Sequence, residues 1–524
     1  MTTIRILVAC CLVAVVSACS DAGGGEGNDQ PELAEGATFT TSINADPGNL
    51  HPLTTVSAIT NSVVTFAYDS LILVDPEGEI RPYLAEDWEV TGARVTFTLR
   101  EGITCEDGTE LTADAVAANF EWIADPENAS PRYGSGLENY TVDSDDVSRT
   151  VTITLEKPFG FLLENAGSML IVCPGGLADP KSLSQETDGT GPFALSDYVA
   201  DDHVTMTARE GYAWGPDGAS TAEPGFPAEV VIRVVRDPST AVNLFLAGEL
   251  NDIGASGPDE ARLEGQGFDV TEFPGGPAEM WFNQREGLPT ADPDVRRAIT
   301  MALDLDALTP VLTEQAGERA HDLTTILPDP CRTDSIEGTL PEFDPEGAGE
   351  LLDSAGWTTG SDGVRTKDGQ PLSLTASYAS GEPALDAGLE LVTQLLEDVG
   401  VEVELKGEGQ NAFLATLFEE DPPWELAFLS AAISYPSGLV VFASGPLPPQ
   451  GQNFAAIDNP DYERLADEAQ GTPGQEGCEL WAQAEGALFE RADIVPIAIT
   501  LAKIYTRGAS YDYGLGATSI RMYR

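Results

Sequence analysis

Leu372-Ser373-Leu374-Thr375-Ala376-Ser377-Tyr378 alternates apolar and polar side chains, the period of a half-buried strand. Leu389 to Val399 then carries apolar residues at helical spacing and stops at Gly400, after which Val401-Glu402-Val403-Glu404-Leu405 alternates again. A strand, a helix and a strand in this order imply a sheet that is at least partly parallel, and so an α/β fold. Just upstream, Glu350-Leu351-Leu352-Asp353-Ser354-Ala355 reads as a helix stopped at Gly356.

Working outward, the N-terminal half shows more of the same elements. Thr38 to Asn44 reads as a strand, broken by Asp46-Pro47-Gly48. Val95-Thr96-Phe97-Thr98-Leu99 and Val151-Thr152-Ile153-Thr154-Leu155 both alternate. Between them a helix opens at Leu111-Thr112-Ala113-Asp114-Ala115-Val116 and runs through Phe120 and Trp122, with Thr112 as its N-cap. The 524 residues are too many for one ordinary domain, and 42% apolar content is enough for two or three real cores.

The charge is extreme: 26 basic residues against 87 acidic ones, net −61. Such a surface repels nucleic acid, and no basic stripe interrupts it. Solubility or a saline habitat accounts for the acidity; attraction of a cationic ligand is the functional alternative.

The first residues read as an export signal. Arg5 precedes a short apolar run from Ile6 to Val16, too short to span a bilayer, and then Val16-Ser17-Ala18-Cys19. Small residues before a cysteine resemble the bacterial lipobox, which implies cleavage after residue 18 and a lipid on Cys19; an ordinary secretory signal cut near Ala18, with Cys19 left over, is the alternative. Ser20 to Ala37 is Gly-rich and acidic with little to bury, so residues 19–37 are expected to form a flexible tether. As a coil it would reach roughly 20–25 Å. The destination is therefore the outer face of the cell membrane, with the lipid as anchor.

Several further stretches, in this order, resemble the extracytoplasmic oligopeptide-, dipeptide- and nickel-binding proteins of ABC importers. They are Tyr68-Asp69-Ser70-Leu71; Pro82-Tyr83-Leu84-Ala85-Glu86-Asp87-Trp88; Phe97 to Ile103 leading to Asp107-Gly108-Thr109; and Gly189-Thr190-Gly191-Pro192-Phe193. Gly211-Tyr212-Ala213-Trp214-Gly215, Asn283 with Pro293-Asp294-Val295-Arg296-Arg297-Ala298-Ile299, and Leu488 to Ile497 complete the pattern. The resemblance implies two α/β lobes joined by a hinge, as in periplasmic binding proteins, with an extra inserted subdomain. The first lobe would take residues 38–270, with the insertion at about 70–185. The second would take 271–490, and 491–524 would return to the first. The implied work is capture of a small solute, peptide-like in the leading reading, and its delivery to ABC importer permease subunits by a monomer that needs no cofactor.

Four cysteines follow Cys19: Cys105, Cys173, Cys331 and Cys478. Three pairings are possible. Cys105–Cys173 with Cys331–Cys478 keeps each bond inside one domain and is the pairing expected. His51, His203 and His321 are too scattered for a metal site.

The resemblance also points to cleft residues. Trp281 and Asn283 stand where the chain would cross into the second lobe; Trp281 is expected as a cleft wall, with a core position as the alternative, and Asn283 as a residue bonding backbone at the crossing. Peptide binders of the family often carry acids around a Tyr-Pro pair, one of which anchors the ligand's ammonium. Here Ser434 and Ser437 flank Tyr435-Pro436 instead. That departure favours a non-peptide solute as the alternative. Ser434, Tyr435 and Ser437 are expected to line the cleft, with Gln410 and Asn411 as further candidates. A surface hydrolase is the competing class, but the chain has no Gly-x-Ser-x-Gly elbow, no His-Glu-x-x-His and no phosphate loop.

Overall fold

The computed structural model describes residues 32–524, except 134–136, 138 and 432. The first strand, β1 (Thr38–Ile43), is where alternation placed it. The inserted unit is an antiparallel sheet of β2 (Ala85–Thr91), β3 (Arg94–Leu99), β4 (Tyr140–Asp145) and β5 (Thr150–Leu155), in the order β2-β3-β5-β4. Val95, Phe97, Val151 and Ile153 bury one face. Helix α1 (Ala113–Ala124) lays Val116 and Phe120 on that face, and Thr112 caps it by accepting from Ala115 N–H at 3.2 Å. The Cys105–Cys173 disulfide, with Cα atoms 6.1 Å apart, closes this unit.

A second sheet belongs to the first lobe proper. It contains β6 (Phe193–Val199), β7 (His203–Ala208) and β8 (Glu229–Val234), with β1 alongside β8 in parallel. The motif segments converge against the core of the inserted unit, which takes in Tyr83, Tyr212 and Trp214. Asp69, fully buried, accepts from Trp214 Nε1 at 3.0 Å and from the Tyr83 hydroxyl. A buried carboxylate survives only with such donors around it.

The third sheet ties the lobes together. Six of its seven strands are β9 (Asp252–Ala255), β10 (Asp269–Phe282), β11 (Ser373–Ala379), β12 (Glu402–Glu408), β13 (Leu426–Leu429) and β14 (Ile494–Thr506), in the order β9-β14-β10-β13-β11-β12, and the short seventh, Gly317–Arg319, pairs with β14. β11 pairs in parallel with both β12 and β13, and the helix over Pro383–Asp398 makes the crossover between β11 and β12. Leu389, Val392 and Leu396 form its buried stripe.

β10 and β14 run antiparallel from Asp269↔Thr506 to Trp281↔Ile494. Their two ends lie in different cores. Met280, Phe282, Ile494, Val495 and Ile497 belong to the second lobe, whereas Tyr505 packs with Phe245 and Leu250. The register slips between Pro274 and Pro277. A Cβ at Gly275 would lie 2.3 Å from Thr500 Oγ1, so only glycine lets the strands pass there. The crossing therefore lies near residues 275 and 500, inside continuous strands. The expected limits of about 270 and 490 stand within ten residues of it, and neither crossing carries a turn or a change of composition.

The expected tether is also shorter than its composition suggests. Residues 32–34 pair with the C-terminus: Ala34 N–H donates to Met522 C=O at 2.9 Å and Arg524 N–H to Glu32 C=O at 2.8 Å. Backbone pairing needs no apolar side chains, so composition does not reveal it. Residues 19–31, with Cys19, lie outside the described residues. Among the described residues no helix is long and apolar enough to cross a membrane.

Candidate functional site

The carboxyl ends of β11, β12 and β13 point toward the first lobe. The residues that follow them, among them Gln410 and Ser430, line a cavity of about 790 Å³ between the lobes. Crevices at the carboxyl ends of parallel strands are the usual ligand sites of open α/β sheets. The second lobe contributes apolar walls from Leu312, Leu385, Phe413 and Phe428. The crossing strands supply the floor at Gly276, Ala278 and Thr500, and the helix Gly257–Leu263 closes the first-lobe side.

The charges around the cavity are almost all negative. Glu260, Glu264, Glu279, Glu314 and Glu382 line it, against the single cation Lys503. Lys503 is already held by Glu260 at 2.6 Å, with Glu264 and Glu272 both at 3.9 Å. A ligand carboxylate would meet no free cation here and four further acids.

Glu279 differs from the rim acids. It lies on β10 between β13 and β14 and is 1% exposed. One oxygen accepts from Trp281 Nε1–H at 2.8 Å; Oε1 makes no close hydrogen bond, although the Ala431 N–H also faces the carboxyl. Burial pushes its carboxyl up to about 8, outweighing the Trp281 hydrogen bond. Burial thus favours the protonated form, which can donate one hydrogen bond to a bound oxygen.

The residues singled out from sequence separate into three groups. Gln410 lines the cavity, whereas Asn411, its exposed neighbour, does not. Trp281 is fully buried with its ring 4.9 Å from that of Phe454, so it is a core residue and no wall. Asn283 bonds backbone, but within the second lobe and past the crossing: its Nδ2 donates to Trp424 C=O at 2.8 Å, and its Oδ1 accepts from Arg285 Nη1 at 3.0 Å. Ser434, Tyr435 and Ser437 do not line this cavity. Tyr435 stacks 5.0 Å from Phe161 of the inserted unit, Ser434 Oγ reaches Leu327 C=O at 3.5 Å, and Ser437 is buried in the turn Pro436–Leu439. Sequence reasoning missed Glu279, Phe413 and Phe428. The available signal was a glutamate inside the apolar run Ala278-Glu279-Met280-Trp281-Phe282, where an acid is out of place.

The comparisons with known proteins agree with this architecture. The chain is 29% identical over 407 residues to Protein XP55 of Streptomyces lividans, covering 75% of this chain and 70% of that one. It is 26% identical over 494 residues to a glutathione-binding protein of Shigella flexneri serotype 5b, covering 89% and 88%. Among solved structures, a substrate-binding protein from Microbacterium hydrocarbonoxydans, complexed with 4-hydroxybenzoate hydrazide, superposes with a TM-score of 0.69 at 26% identity, covering 93% of this chain and 100% of that one. Residues 79–445 match the model of the bacterial extracellular solute-binding proteins, family 5. The chain belongs to that family, whose members capture solutes outside the cytoplasm for ABC importers.

Proposed function

We propose that the interlobe cavity takes a small solute with an aromatic or aliphatic body and a neutral, carbonyl-bearing head of the amide or hydrazide kind. The observation that carries this is the pairing of apolar walls with the buried Glu279, whose Oε1 makes no close hydrogen bond, in a cavity whose one cation is already neutralised. A carbonyl oxygen would accept the Glu279 proton, while the body of the solute would fill the space between Phe413, Phe428 and Leu385. The hydrazide bound by the Microbacterium relative has this chemistry.

A peptide with a free amino terminus is the second reading. The exposed rim acids Glu314 and Glu382 favour it, since either could pair with an ammonium. Its carboxylate end would still need a cation that the cavity does not offer. In both readings the protein is a carrier and no enzyme, a monomer held at the membrane through a lipid on Cys19. Lobe closure around the solute makes the form that the permease subunits recognise. Thermal melts of the chain against matched amides, hydrazides, peptides and free carboxylates test the choice. Stabilisation by amides and hydrazides but not by the corresponding acids supports it; stabilisation only by peptides overturns it.

A further inference from the structure

The two lobes also meet far from the solute cavity. Gly474 N–H donates to Gly160 C=O at 2.6 Å, and Asp329 N–H donates to Pro76 C=O at 3.3 Å. Gly160 N–H donates to Gln470 Oε1 at 3.1 Å. Phe161, fully buried, belongs to the second lobe's core although its chain segment is in the inserted unit. These contacts join segments remote in sequence across the hinge, so they exist only while the lobes are together.

They border a second, open cavity of about 360 Å³. The inserted unit lines it with Glu79, Ile80, Leu163 and Glu164, and the second lobe with Pro473, Gly474 and Gln475. Glu164 sits on the short helix Leu162–Gly167 and is 2% exposed. Its Oε2 has no hydrogen-bond partner, and among the described residues it makes no ion pair. No Lys, Arg or His lines the cavity, and Glu79 adds a second carboxylate. Closing the lobes thus buries a carboxyl that has its own backbone N–H near it but no cationic partner, which is unfavourable unless a proton or a cation joins it. Burial accordingly pushes Glu164 up to about 7.

We propose that this cavity is a second binding site, for a monovalent cationic centre that pairs with Glu164 as the lobes close and so stabilises the closed form. Two carboxylates from separate elements suit a single positive charge. Among the described residues no group of three or more acidic, His or Cys side chains could hold a metal ion, which argues against a divalent one. The volume is ample for an organic ammonium ion or a hydrated alkali ion.

The test needs no transported solute. The full chain and its Glu164→Gln variant are melted in rising tetramethylammonium chloride and, separately, potassium chloride, with magnesium chloride at matched ionic strength as reference. General screening of the acidic surface raises both melting temperatures alike, because the variant removes one of 87 acids. The site predicts an additional saturable rise of about 2 °C in the wild type only. A response to tetramethylammonium alone identifies an organic ammonium; a response to both salts admits an alkali ion. Identical curves for the two proteins overturn the proposal. Should the variant fail to fold, small-angle scattering of the wild type decides: the radius of gyration must fall saturably with one of the two monovalent salts beyond the magnesium reference. An unchanged radius overturns the site.

Discussion

Glu279 and Trp281 occupy one strand two residues apart, and the hydrogen bond between them divides their roles. The tryptophan is packing; the glutamate reaches the cavity. Trp281→Ala should therefore cost about 3–5 kcal/mol of stability, read from denaturant unfolding, as removal of a fully buried aromatic does. Trp281→Phe should retain most of the packing and most of the solute affinity. Glu279→Ala should leave the fold intact and weaken a carbonyl-bearing solute about tenfold, the worth of one hydrogen bond of about 1.4 kcal/mol. Affinity for such a solute should also fall as the pH rises through about 8, because the protonated acid is the donor. Titration calorimetry across pH measures both effects. At this scale the sequence misled: aromatic character drew attention to Trp281, but whether a side chain faces core or cleft depends on which strand covers it. The covering strands, β13 and β14, begin well over a hundred residues later.

At the scale of elements the local chemistry was sufficient. Thr112 caps its helix, the alternation at 373–379 and 402–408 makes parallel neighbours, and the helix between them stops at Val399 and Gly400. What stayed hidden were elements fixed by remote partners, such as the segment at Glu32–Ala34 pairing with the C-terminus and the continuous crossing strands. One covalent link has an element-scale consequence. Cys331–Cys478 ties the loop at 329–332, which meets Pro76 and Glu77 of the first lobe, to the segment at 470–478, which meets Gly160. The Cys331→Ser, Cys478→Ser double variant should lose roughly 2–4 kcal/mol of stability. It should also bind solute more weakly, because the two contact loops would no longer be held together before closure. Thermal melts with and without solute separate the two losses.

For the whole molecule, acidity and burial act in the same direction. The carboxyls of Asp69 and Glu279, buried in different lobes, are raised by burial to about 6 and about 8. A carboxyl raised in the folded state contributes stability that is complete below its ordinary pKa, near 4 for both residues, and lost as pH rises through the folded value. Stability should therefore fall between about pH 4 and pH 8, and the net charge of −61 adds repulsion over the same range. Glu279→Gln should flatten the upper part of that profile, which melting temperatures across pH can check. The two-lobed architecture was legible because motif order survives across the chain. The solute cavity was not, because its walls come from segments between Ser256 and Lys503 that only the folded sheet brings together.

The measurement that bears most directly on the central claim is calorimetric titration of the chain with an aromatic hydrazide and with the carboxylate of the same ring, repeated on Glu279→Ala. The account predicts saturable binding of the hydrazide, about tenfold weaker in the variant, and no binding of the carboxylate. Carboxylate binding as tight as hydrazide binding, or an affinity untouched by the loss of Glu279, would contradict it.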